Sequence, residues 1–252
     1  MKNRFWYIVV FSLCIACSTS DTAEETTIID PPNNTLLLSD YVVNEEVMID
    51  NVISCASGSS NPNEIIAYVY PRPEATDIRF FETATVDDDK NDYSKYSQID
   101  VPEEDFFNGY LKSFTRQVDR EKWVILSFRE SGQIHLSNPI RLKHLTQNTL
   151  FTDAISINQE TSGMPVFNWP NLATEADAIY FQVIADDTDE LLSGTYTFET
   201  QFQYYVLDNV VLNITEETPP DIITAQPYAI TLMGVSEDNW VNVLGQTDFI
   251  AE

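Results

Sequence analysis

From Tyr41 to Leu145 the chain alternates between short runs of β-branched and aromatic residues and clusters of turn-forming ones. IIAYVY (65–70), IRFFETATV (78–86) and WVILSF (123–128) are the strongest runs. Their residue types fit a pleated, largely buried surface. Between the runs stand Ser57-Gly58-Ser59-Ser60-Asn61-Pro62, Pro71-Arg72-Pro73, Val118-Asp119-Arg120-Glu121 and Glu130-Ser131-Gly132. Gly, Pro, Asn, Asp and Ser supply the backbone angles and side-chain acceptors that turns need. The pattern predicts seven strands, over residues 46–55, 64–70, 77–85, 96–101, 109–116, 122–129 and 133–143. Pro102 to Phe107 reads as a short helical turn opened by proline. No helical periodicity longer than about three turns competes anywhere in the chain.

Seven short strands at this spacing predict a β-sandwich of immunoglobulin type over residues 41–145. Residues 150–252 predict a second sandwich. Here Pro165-Val166-Phe167-Asn168-Trp169 resembles the Trp-bearing second strand of fibronectin type III modules, and Ala178-Ile179-Tyr180-Phe181-Gln182-Val183-Ile184 resembles their third strand. Tyr228 to Ser236 is similar to the strand that carries the tyrosine corner, and Trp240 to Ile250 to the last strand. The resemblance implies that Trp169, Tyr180 and Tyr228 lie in the core. It also needs an apolar residue a few positions before Tyr228, a role that falls to Ile222 or Ile223. The fold class is therefore all-β, two tandem immunoglobulin-like sandwiches. Each half has the usual size of about 100 residues and is expected to fold on its own core, joined by a polar connection at 145–150.

The N-terminus has a different pattern. Lys2 and Arg4 precede an uncharged stretch from Phe5 to Ala16, followed abruptly by Ser18-Thr19-Ser20-Asp21. A bilayer-spanning helix needs roughly 20 apolar residues, so residues 1–16 read as a signal peptide rather than a membrane anchor. A small residue before Cys17 resembles the lipobox of bacterial lipoproteins, in the loosened form of the Bacteroidetes type, since Cys14 stands where Leu is usual. The resemblance implies lipidation of Cys17 and localisation at the outer membrane. The alternative is ordinary signal-peptidase cleavage after Cys14-Ile15-Ala16, at the same bond. Residues 17–40, rich in Ser, Thr, Pro and acids, read as a flexible tether. Asp21, Glu24 and Glu25 resemble a surface-export signal, which leaves cell surface and periplasmic face both open.

Charge narrows the partners. Among 252 residues, 40 acids stand against 13 Lys+Arg, a formal net charge of −27. That argues against nucleic acid and against electrostatic docking on anionic lipid. From Leu145 to the end there are 17 acids and no Lys or Arg at all. The bland consequence is a solvated, self-repelling surface; the sharper one is recruitment of cations or of a basic partner.

Candidate chemistry is sparse. His135 and His144 stand alone, without a metal-ligand partner at zinc spacing, and His135 falls where strand alternation places it on the sheet surface. With Cys14 in the signal peptide and Cys17 lipidated, Cys55 has no disulfide partner and reads as a small buried hydrophobe. Asp87-Asp88-Asp89-Lys90-Asn91 begins like a calcium loop. The Gly position is then Asp92 and the bidentate Glu position Gln98, so no metal ligand is assigned. The turn at Asp186-Asp187-Thr188-Asp189-Glu190 is likewise left as a solvated turn. No catalytic residues and no cofactor are assigned. Tyr93, Tyr96, Trp123, Tyr204, Tyr205 and Trp240 are candidates for stacking sugar rings if they are exposed. The sequence thus predicts a non-catalytic, lipid-anchored envelope protein that binds or adheres. Its partners are the membrane through its lipid and an unknown protein or glycan. The alternative is glycan capture for a polysaccharide-uptake system.

Overall fold

A computed structural model describes residues 35–172, 177–215 and 218–252. The signal peptide, Cys17 and most of the tether lie outside the described residues. Thr35 to Glu252 forms one compact unit.

The chain enters with a short helix, α1 (Leu38–Val42). The first half then runs through β1 (Val47–Val52), β2 (Ser54–Gly58), β3 (Glu64–Val69), β4 (Thr76–Glu82), β5 (Ser97–Ile99), β6 (Glu103–Phe106), β7 (Leu111–Gln117), β8 (Trp123–Glu130), β9 (Gln133–Ser137) and β10 (Ile140–Arg141). One sheet has the order β1-β9-β8-β4-β5, with β10 also on β8; the other is β2-β3-β7-β6. Phe80, Phe114, Leu126, Phe128 and Ile65 fill the space between them. This strand distribution is that of an immunoglobulin-like sandwich.

The second half comprises β11 (Leu150–Thr152), β12 (Ser156–Asn158), β13 (Val166–Asn168), β14 (Ile179–Asp186), β15 (Leu191–Thr197), β16 (Gln201–Gln203), β17 (Val210–Asn213), β18 (Pro227–Val235) and β19 (Val241–Ile250). A six-stranded sheet of order β11-β19-β18-β14-β15-β17 faces the three-stranded β12-β13-β16. Phe167, Trp169, Tyr180, Phe202, Tyr204 and Tyr228 pack between them. Tyr228 Oη accepts from the backbone N–H of Ile223 at 2.9 Å, the geometry of a tyrosine corner. Ile222, not Ile223, is the buried apolar partner.

The strand period of two places successive residues on opposite faces, and it shows how the halves meet. On β3, Ile65, Ala67 and Val69 face the first core, while Ile66 and Tyr68 face a third cluster. On β14, Tyr180 and Ile184 face the second core, while Phe181, Val183 and Ala185 face that same third cluster. The sheet β2-β3-β7-β6 is therefore covered on both sides, and so is the middle of the six-stranded sheet. The halves are stacked sheet against sheet, with apolar residues from both in the seam.

Several expectations are corrected. Residues 35–40 are not free tether: Leu38 and Tyr41 are buried against Phe81, Tyr96, Ile125 and Leu136, because α1 docks its apolar face and Leu38 N donates to Tyr96 O. The single strand expected at 46–55 changes sheets around Ile53, so that β1 pairs in parallel with β9 and β2 pairs with β3. Glu103–Phe106 is a strand rather than a helical turn. Antiparallel pairing with β7 sets it, and Lys112 bridges Glu103 and Asp105. Residues 145–150 connect the sheets, but they do not form a free hinge.

Candidate binding surface

The junction is bonded at nearly every step. Thr146 N donates to Glu121 Oε1 at 2.8 Å. Gln147 Nε2 donates to Asn242 Oδ1 at 2.8 Å. Thr149 Oγ1 donates to Val241 O at 2.7 Å and accepts from Gly58 N at 2.8 Å. From the far end of the sequence, Lys143 Nζ pairs with Asp238 at 2.9 Å and Ala56 N donates to Asn239 O at 3.1 Å. Trp240 is fully buried among Val52, Ala56, Ile140 and Leu142, inside the core of the first half. Its indole Nε1 donates to Gln147 O at 2.9 Å. Tyr70 and Tyr110 both donate to Ile214 O across the seam, at 3.2 and 3.0 Å.

The residues singled out from sequence fall mostly inside this scaffold. Cys55 lines a small cavity in the seam with Tyr68, Leu111, Phe181 and Tyr196, and burial pushes its thiol up to about 12. A thiol held protonated is a poor nucleophile, in keeping with the apolar role expected. His144 is buried and bonds Val118 O through Nε2 at 3.0 Å. His135 is a correction, being buried rather than at the sheet surface. Arg72 Nη2 donates to its Nδ1 at 2.8 Å, and its ring stacks on Phe128 at 5.3 Å. Arg72 also grips Glu130 through Nε at 2.8 Å and Asn51 O through Nη1 at 3.1 Å. These bonds hold the Glu130 carboxyl below the usual carboxylate range. No sequence signal tied Arg72, in the Pro71-Arg72-Pro73 turn, to His135, because only the sheet pairing brings them together.

The sugar-stacking candidates are corrected in the same way. Tyr96, Tyr204 and Trp240 are fully buried. Tyr96 Oη bonds Lys90 O at 2.8 Å and Tyr204 Oη bonds Pro220 O at 2.7 Å. Tyr93, Trp123 and Tyr205 are half-buried. Trp123 Nε1 donates to Val86 O at 2.9 Å under the ammonium of Lys90, and Tyr205 Oη bonds Asp221. Trp169, Tyr180 and Tyr228 are core residues, as the resemblance implied. The acidic turns spend their oxygens locally. Asp88 and Asp89 accept from Thr85 N and Asn91 N, and Asp186 accepts from Thr188 N and Glu190 N.

The larger open depressions among the described residues lie on the second half. A shallow depression of about 490 Å³ is lined by Asp153 to Ser156 and Asn168 to Pro170. A neighbouring one of about 400 Å³ is lined by Phe151, Thr152, Asp153, Leu244 and Gln246. Among the described residues the exposed aromatic rings are Phe151, on β11, and Phe198, just past β15. Both edge strands of the six-stranded sheet show apolar side chains to solvent: Leu150 and Phe151 on β11, Val211 and Leu212 on β17. Neither edge is marked in the sequence, since short apolar runs beside acidic loops carry no sign of which side is covered.

The strand pairings define an all-β protein of two immunoglobulin-like sandwiches stacked into one unit. No protein-family model matches the chain, and no curated protein matches it. Among solved structures, the chain is similar to the FN1–FN3 domains of chicken CNTN1, with 11% sequence identity and a TM-score of 0.28. That match covers 82% of this chain and 65% of the other.

Proposed function

We propose that the protein is a non-catalytic binding or adhesion module, anchored to the outer membrane through a lipid on Cys17. The observation that supports it most is the contrast between interior and edge. The two cores and the seam are packed with apolar side chains and the junction is tied by hydrogen bonds, whereas both edges of the six-stranded sheet expose apolar side chains. Exposed apolar surface on a rigid scaffold is the usual mark of an interaction site. The lipobox-like Ala16-Cys17 supports the anchor, and the acidic stretch after it supports display away from the lipid.

Two measurements test this reading. Cys17→Ser is expected to move the protein from the membrane fraction to the soluble fraction; a mutant recovered wholly with membranes refutes the anchor. Protease treatment of intact cells then separates outward from periplasmic display. Glycan capture remains the alternative class. Isothermal titration against a panel of polysaccharides is expected to show no binding, because the six aromatics named as candidates for a stacking platform are buried or half-buried. Micromolar binding of one glycan reverses the choice.

A further inference from the structure

We infer that the β17 edge is a docking site for a strand-forming, basic segment of a partner protein, which adds to the six-stranded sheet. The inference rests on the binding-module reading and names the partner's chemistry. β17 pairs with β15 on one side and ends the sheet on the other. An edge strand presents unpaired backbone donors and acceptors, and natural sheets blunt such edges with Lys, Pro, bulges, short strands or a covering element. β17 reads Val210-Val211-Leu212-Asn213, a short strand with a bulge at Val211 that carries neither Lys nor Pro.

Side chains reinforce the edge. Val211 is 49% exposed and Leu212 43%. Val211 is bulged out of the pairing with β15, which sets Leu212 opposite Tyr196 and Val210 opposite Thr197, and the two exposed side chains offer an added strand apolar contact. Phe198 and Leu207, at 65% and 44%, flank the same edge. Thr197 pairs with Val210, and Val210 N donates to Leu207 O at 3.1 Å. This stretch concentrates more exposed apolar side chains than the β11 edge does.

Charge selects the occupant. Glu199 and Asp208 border the edge and are solvent-exposed. The half that carries them has no Lys or Arg. Two copies meeting at β17 would bring together two halves that each carry 17 acids and no Lys or Arg, and that like charge opposes their approach. A segment with an apolar middle and Lys or Arg at its ends matches both features. Its backbone supplies the ladder, its middle covers Val211 and Leu212, and its cations meet Glu199 and Asp208.

The test uses the full chain and a blocked octapeptide with a Val-Thr-Val-Ile centre and two lysines at each end. Its control has the same charges with proline in the centre. Hydrogen exchange is expected to show new protection at Val210–Asn213 with the first peptide and none with the control. Val211→Lys/Leu212→Lys is expected to weaken binding about tenfold or more, because lysine on an edge blocks strand addition. Both positions are exposed, so the variant should fold; an unchanged thermal midpoint checks this, and Phe151→Lys at the other edge is expected to leave binding intact. Equal binding of the proline control, protection that appears at β11 instead, or no binding at low salt overturns the proposal. So does dimerisation through β17 in high salt, which would make a second copy the occupant. These results leave the membrane-anchor reading untouched, since only Cys17→Ser fractionation bears on that.

Discussion

Replacing Trp240 by alanine is expected to destabilise both sandwiches together. Trp240 belongs in sequence to the second half, just before β19, yet its side chain is fully buried in the first half's core. Removing the indole leaves a cavity among Val52, Ala56, Ile140 and Leu142, and Trp→Ala changes in such sites cost about 3–5 kcal/mol. Gln147 O also loses its indole donor, adding about 1 kcal/mol where the carbonyl stays buried. Partial collapse of the site offsets some of this, so the expected loss is about 4 kcal/mol. In a chain of this size each kcal/mol moves the midpoint by about 2–4 °C, so Tm should fall by roughly 8–16 °C. The assay is thermal and urea unfolding, followed by far-UV circular dichroism and tyrosine fluorescence, with hydrogen exchange to locate the loss. Protection should fall in β8 and β3 as well as in β18 and β19, and the transition should stay single. A loss below about 1 kcal/mol, or one confined to β11–β19 while β8 keeps its protection, would refute the claim that Trp240 joins the two cores.

Other outcomes follow from single groups. Burial raises the Asp177 carboxyl above its ordinary value of 3.8, against a bond from Asn242 Nδ2. The folded state therefore holds this proton more tightly than the unfolded chain. The stability tied to it is present below pH 3.8 and is lost as pH rises through the higher folded value. Asp177→Asn should flatten that part of the stability–pH curve; an unchanged slope counts against it. Tyr228→Phe removes the acceptor for Ile223 N and should cost about 1–2 kcal/mol in urea unfolding, with the fold retained; no change would mean the corner bond is idle. Raising salt should raise Tm, because screening relieves the repulsion of a −27 chain, and a fall in Tm would refute that. Residues 150–252 expressed alone should be less stable than in the full chain, since Phe181, Val183, Met233 and Val241 lose their cover. Stability equal to that of the intact protein would mean the seam contributes nothing.

Strand identity was legible locally. Runs of Val, Ile, Phe and Tyr bounded by Gly, Pro and Asn gave the strands of the first half nearly in place, because β-branched and aromatic side chains suit a pleated surface and turn residues end it. The Trp169, Tyr180 and Tyr228 positions were legible too, since a sandwich core repeats them at fixed places along its strands. What tertiary structure alone decided is the use of the second face. In Ile65-Ile66-Ala67-Tyr68-Val69 and Tyr180-Phe181-Gln182-Val183-Ile184 both faces are apolar or uncharged, and period-two alternation gives no sign of what covers the outer one. Only the stacked sheets supply the answer, placing Ile66, Tyr68, Phe181 and Val183 in a shared seam. Trp240 was unreadable for the same reason. Its burial depends on Ala56 and Ile140, far away in sequence, and no local propensity records a partner on the other half. The exposed β17 edge is the converse case. Val210-Val211-Leu212 has the composition of a covered strand, and only the sheet order, which ends there, leaves it open to a partner.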